Sequence, residues 1–167
     1  ALIPAHGKLP WDCWTLATLV HPVFFVHRVD RLESGLYVLP RRDDATPLLQ
    51  DAMSDDFGWR RIKGLPGNVS LYQLTQGDVR KVARSLCCHQ EIASASSFSL
   101  AMLAEYDEVL NASPCAYRHL HWEAGAIGQV LYLEAEAAGR RGTGIGCFFD
   151  DAVAEIIGVE DGSLSTI

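Results

Sequence analysis

Apolar and polar positions along the chain alternate between two periods, one suited to strands and one to helices. Residues 24–29 (FFVHRV) are rich in β-branched and aromatic side chains and predict a strand. The polar stretch 30–35 (DRLESG) turns the chain, and 36–39 (LYVL) predicts a second strand stopped by Pro40, so the pair forms a hairpin with a longer loop. Asp43 and Asp44 are placed to cap a short helix over 45–53, with Pro47 tolerated in its first turn. Residues 69–74 alternate and predict a strand. Asp78 can cap a helix over 79–88 whose apolar face is Val79, Val82, Ala83 and Leu86. The apolar run 97–104 has the length of a buried strand, although periodicity alone does not separate it from a helix. Ser113 followed by Pro114 is a helix start, and Leu120, Ala124, Ile127, Leu131, Ala135 and Ala138 then recur at helical spacing until Gly139 stops the helix. Asp150 caps a last helix over 151–157, closed by Gly158.

Strands and helices mixed without strict alternation predict an α+β fold rather than a doubly wound sheet. Residues 1–23 form an irregular segment punctuated by Pro4, Pro10 and Pro22, with Trp11 and Trp14 to bury. Residues 24–158 form the domain proper, and 159–167 a short tail. The chain opens on Ala rather than Met, which suggests a trimmed chain or a piece of a longer one.

Composition narrows the function classes. In 167 residues, 49% are apolar and 21% charged, as in an ordinary globular domain with a real core. Fourteen basic against 21 acidic residues give a net charge of −7. That sign argues against a general nucleic-acid or anionic-membrane binder. No apolar run reaches the roughly 18 residues of a membrane span. Five cysteines, Cys13, Cys87, Cys88, Cys115 and Cys147, are an odd number without framework spacing. They suggest reduced, mostly buried thiols and a cytoplasmic setting.

The strongest chemical signal is the loop 142–147 (GTGIGC), between the long helix and the last one. Glycines at alternate positions let the backbone approach a flat or anionic ligand closely. The loop is not a dinucleotide fingerprint, because its third glycine comes one position early and a helix leads into it. A simple turn between helices is the competing reading. No metal site is expected: Cys115 and His119 share a helical spacing, but His121 lies about 200° from His119 on a regular helix, and Cys87, Cys88 and His89 lack the paired spacing of zinc sites. Arg140 and Arg141 close the long helix against its dipole, with phosphate contact the sharper alternative. Arg60, Arg61 and Lys63 form a solvated basic face. Trp122 and Tyr132 lie on the long helix and could stack on a ligand, although core or interface is the plainer reading. Gly125 and Gly128 weaken that helix, which suggests that another backbone packs there.

Residues 131–151 (LYLEAEAAGRRGTGIGCFFDD) resemble the C-terminal part of the nitroreductase superfamily of flavoproteins, closest to its azoline-dehydrogenase-like branch, often found as tandem copies. Three further segments agree in order. Residues 25–37 (FVHRVDRLESGLY) resemble the branch's strand-turn-strand. Residues 88–94 (CHQEIAS), running into 98–105 (FSLAMLAE), resemble its middle. Residues 117–129 (YRHLHWEAGAIGQ) resemble its long helix.

The resemblance implies a mainly antiparallel sheet flanked by helices, with the long helix at a dimer or pseudo-dimer interface. It also implies FMN bound there, hydride transfer through flavin N5, and a nicotinamide, NADH or NADPH, as a possible donor to a small-molecule substrate. The implied cofactor contacts are Thr143, Gly144, Ile145, Gly146 and Cys147, acting through backbone groups and without a catalytic triad. Two departures accompany the match. The family's arginine-rich opening element has no counterpart in residues 1–23, where Lys8 is the only base, and 160–167 is acidic and stops where the family continues into a strand. The partner is then a second copy or a homologous sister domain that completes the site. The alternative is a cofactor-free, non-catalytic relative acting in assembly.

Overall fold

The computed structural model describes residues 1–5, 7–159 and 164–167. Its centre is an antiparallel sheet of β1 (Val20–Val26), β2 (Gly35–Val38), β3 (Arg60–Arg61), β4 (Tyr72–Gln76), β5 (Phe98–Glu105) and β6 (Leu164–Thr166), in the spatial order β3-β4-β2-β1-β5-β6. The helices are α1 (Ala45–Ala52), α2 (Arg80–Leu86), α3 (Ile92–Ala95), α4 (Asp107–Ala112), α5 (Tyr117–Ala137) and α6 (Asp150–Ile157). The fold is α+β with a long helix, as predicted.

The two central strands are buried on both faces, which explains why they are nearly continuous in apolar residues. Successive side chains of a strand point to opposite faces. Val23, Phe25, Leu36, Val38 and Leu103 face a core closed by Ala45, Leu49 and Met53 of the α1 region, Leu86 of α2, and Val153 and Ile157 of α6. Val20 and Ala104 face the other way, against Trp11 and Leu120, Ile127 and Val130 of α5.

Several boundaries depart from the expectation, each for a local reason. β1 begins at Val20 rather than Phe24, because 20–26 pairs residue for residue with β5. Beyond Val26 the chain leaves the sheet: the amides of His27 and Arg28 both donate to the Ser97 carbonyl. The strand expected over 69–74 forms over Tyr72–Gln76, where β2 supplies the pairing. Strand β3 and helices α3 and α4 are too short to show a period. Pro114–Ala116 forms a 3-10 turn, and the α-helix follows from Tyr117. Asp44, Ser113 and Asp150 make no side-chain cap bond. The Asp44 carboxylate lies 3.2 Å from Arg42 instead, and Phe149 occupies the N-cap of α6. Asp78 does accept the Arg80 amide, at 3.1 Å. Gly139 and Gly158 take the left-handed conformation that stops α5 and α6 (φ 65° and 73°). Within the stretch read as an acidic tail, 164–166 pairs with β5 as an edge strand, while 160–163 lie outside the described residues.

A buried polar knot, unmarked by any local pattern, lies at the join of sheet, N-terminal segment and α5. Arg41 donates to Glu123, to the Val20 carbonyl (3.0 Å) and to the Leu2 carbonyl (2.8 Å), and its guanidinium lies 4.3 Å from the centre of the Trp11 ring. Glu123 also accepts the Leu19 amide at 2.9 Å. Beside it, His21 Nδ1 accepts the Arg41 amide (3.1 Å), so Nε2 carries the proton donated to Glu105 (2.8 Å). The other Glu105 oxygen accepts from Arg42, at 2.8 Å. Glu123 takes the place on the buried face of α5 that the periodicity gave to Ala124, and the face is rotated accordingly: Val130 is buried and Ala138 exposed.

Removing one partner strands the other charge. Arg41→Ala is expected to lower unfolding free energy by about 3–5 kcal/mol in urea titrations, whereas Arg41→Met combined with Glu123→Leu recovers most of that loss.

Candidate functional site

A cleft of about 1160 Å³ opens beside the outer edge of β5, between the sheet, the second half of α5 and the loop that follows it. Its origin lies in the lengths of the elements. β6 covers only Leu103–Glu105, with the Ile167 amide reaching the Met102 carbonyl. From Phe98 to Ala101 the outer edge of β5 carries no strand among the described residues. On α5, Leu120 to Leu131 are packed on the core beneath the sheet, and from Tyr132 onward the helix is mostly exposed. The floor is apolar, with Phe25, Leu100, Met102, Leu131 and Ile145, and Arg28, Arg140 and Arg141 stand around it.

The glycine-rich loop makes one wall. Thr143, Gly144 and Ile145 line the cleft, whereas Gly146 and Cys147 do not. The Gly144 amide donates to the Tyr132 hydroxyl at 2.5 Å, so this part of the loop folds back on α5. A Cβ on Gly144 would come within 3.3 Å of that hydroxyl, and one on Gly142 would make ordinary contact with the ring at 3.5 Å. A Cβ on Gly146 would meet nothing within 4 Å. The amides of Thr143, Ile145 and Gly146 have no acceptor among the described residues. Arg140 and Arg141 follow the end of α5 at Ala137: the Arg140 amide closes the last turn on the Ala135 carbonyl (2.7 Å), and both residues line the cleft.

Cys147 is bonded to Cys88, which overturns the expectation of reduced thiols at these two positions. The cysteines are not mostly buried either: Cys13, Cys115 and Cys147 are exposed, and Cys87 and Cys88 are partly covered, where burial pushes the Cys87 thiol up. The bridge joins the end of the loop to the α2–α3 corner, and Gln90 donates to the Cys147 carbonyl at 3.4 Å. That corner is fixed to the end of β1. His27 Nε2 bonds the Ala93 carbonyl at 2.9 Å and Arg28 bonds the Ala95 carbonyl. His27 is buried with no partner for Nδ1, and desolvation holds its pKa below the ordinary histidine value despite the Ala93 bond.

The other candidates are dispersed. Cys115 sits in the 3-10 turn before α5, while the His119 ring lies against Trp122 (5.0 Å) and the His121 ring against Tyr117 (4.7 Å). Arg60 binds Gln73 and Glu33 on the far edge of the sheet. On α5, no other element among the described residues stands within 4 Å of a Cβ placed on Gly125 or Gly128. Trp122, Tyr132 and Leu133 are left 54%, 46% and 60% exposed. No helix among the described residues is long and apolar enough to cross a membrane.

The chain is similar to a solved structure described as a nitroreductase from Anabaena variabilis, with a TM-score of 0.67 and 23% identity over 89% of this chain. The fold is nitroreductase-like. The chain spans 25% of that neighbour's chain. No protein-family model matches it, and no curated protein does.

The buried, proton-resisting His27 makes stability depend on pH. Its imidazole protonates near pH 6.5 when unfolded and only at lower pH when folded, so stability is full above about 6.5 and declines below it. The urea midpoint should fall between about pH 7.5 and pH 5.5, and His27→Asn, which keeps a donor for Ala93, should flatten that dependence.

Proposed function

We propose that the chain is the flavin-loop half of an FMN-dependent oxidoreductase of nitroreductase type, acting on a small molecule with a reduced nicotinamide as donor. The observation that supports it most is the wall of the cleft. Free backbone amides of Thr143, Ile145 and Gly146 stand at or beside a largely apolar space large enough for a ligand of cofactor size. Those amides and the Tyr132 ring would hold the isoalloxazine, and Arg140 and Arg141 are the cations available to a phosphate, Arg28 being bonded to the Ala95 carbonyl. Arg41 and Arg42 are committed to Glu123 and Glu105 and are not available. When bound, FMN supplies two-electron hydride chemistry at N5; the chain supplies orientation and exclusion of water. Cys147 belongs to the Cys88 bridge in this reading and not to the cofactor contacts.

The open edge of β5 and the unpacked face of α5 favour a partner that completes the site, either a second copy or a sister domain of similar fold. The rest of a chain as long as the structural neighbour's has room for such a domain. Loss of flavin binding altogether would favour the cofactor-free assembly role.

Protein equilibrated with FMN and freed of excess should keep a near-stoichiometric visible flavin spectrum, and Gly146→Val should weaken that binding about tenfold or more by blocking close approach. A colourless product would sink the flavin reading for this chain. Trp122→Glu should convert the associated form to monomer in sedimentation velocity, because a charge on an interface core is strongly disfavoured.

A further inference from the structure

We propose that the Cys88–Cys147 disulfide is a redox-controlled latch on the cleft: reduction by a dithiol releases the loop over 140–148 and opens the wall that the loop forms. The inference holds whichever ligand the cleft takes.

Three observations carry it. The stretch 140–149 has neither helix nor strand, and its side chains are exposed apart from that of Ile145. Between the Arg140 amide, bonded to the end of α5, and the Phe149 amide, bonded to the Leu86 carbonyl, the loop is tied among the described residues by two hydrogen bonds and the disulfide. Both hydrogen bonds are solvent-exposed, so each contributes little against water. The disulfide is therefore the strongest tie that the loop has. Its other end is a firm post, because the α2–α3 corner is bonded to β1 through His27 and Arg28.

The bridge is also reachable. Cys147 is exposed, and Cys88 partly so. A thiolate of the incoming dithiol forms a bond to Cys147 Sγ, the Cys88–Cys147 bond breaks, and Cys88 Sγ leaves with the electron pair and takes a proton. The second thiolate of the dithiol then displaces Cys147 Sγ from the mixed disulfide. The dithiol ends oxidised to its own disulfide, and both cysteines end reduced. Cys87 is next in sequence, but its partly buried thiol stays protonated, which makes it a poor competitor for either partner.

Trypsin reads the latch directly, since Arg140 and Arg141 lie on the loop and Arg61 lies on the opposite edge of the sheet as an internal reference. Air-oxidised full-length protein is digested briefly, quenched, reduced and quantified by mass spectrometry, with and without prior treatment with dithiothreitol. Cleavage after Arg140 and Arg141 should accelerate about tenfold or more on reduction, while cleavage after Arg61 stays constant. Cys147→Ser should show the fast rate without reductant, and Cys87→Ser should behave as the wild type in both states. The proposal is overturned by free thiols at Cys88 and Cys147 in the oxidised protein, by an unchanged loop rate, or by equal acceleration at Arg61, which would indicate general loosening.

Discussion

The Arg41 guanidinium and the Glu123 carboxylate meet almost out of reach of water, with side chains 0% and 1% exposed, at the one place where sheet, N-terminal segment and α5 converge. Burial works against the charge on Arg41, and the carboxylate beside it works for it. The pair is weak as a source of net stability, because desolvation offsets most of the attraction. It is strong as a constraint. Apolar contacts between Leu120, Ile127, Val130 and the sheet would tolerate a sliding or rotated helix. A displaced Glu123 would instead leave two uncompensated buried charges and an unpaired Leu19 amide, each costing kilocalories. The ion pair therefore selects one position of α5 from several that hydrophobicity alone would allow.

The cleft follows from that constraint. With Glu123 fixed, the 21-residue helix packs through Leu131 and its last turns, from Tyr132, are left mostly exposed. A helix held at one end over a sheet with an incomplete edge necessarily leaves a gap. The loop that must return the chain to α6 closes one side of it. Its position is then set by Tyr132 at one end and by the Cys88 bridge at the other, so core electrostatics and a surface disulfide jointly determine the shape of the site.

Much of this architecture was legible because it rests on local rules. The hairpin β1–β2, helices α1, α2 and α6 and the stops at Gly139 and Gly158 follow from period, β-branching and left-handed glycines, whereas the apolar run that becomes β5 was open between strand and helix until its pairing with β1 decided it. What was hidden depends on pairing between distant residues. Nothing around Arg41 marks it as buried, since its partner is 82 positions away. The Cys88–Cys147 bridge joins residues 59 apart, and an odd cysteine count concealed it. Val20–Pro22 become strand because β5 offers them a complete register, although Pro22 argues locally against it. The capping expectations at Asp44 and Asp150 failed because a nearby arginine or the neighbouring amide captured the carboxylate first.

The glycine-rich loop shows how far the chain's own packing can account for its sequence. None of Gly142, Gly144 and Gly146 takes a positive φ, so turn conformation does not require glycine at any of them. Contact with Tyr132 accounts for Gly144, where a Cβ would be tighter than ordinary packing, and bears only loosely on Gly142. Gly146 is accounted for by nothing inside the chain: its Cβ would stand in open space, and its amide has no acceptor among the described residues. Gly146 thus keeps a backbone freedom that neither conformation nor packing among the described residues calls for. Gly125 and Gly128 on α5 likewise weaken a long helix at positions where an added Cβ would meet nothing within 4 Å among the described residues. Of these three only Gly128 lines the cleft; loop and helix each leave open backbone there or beside it, and that openness, rather than any polar side chain, is what a proposed ligand or partner would use.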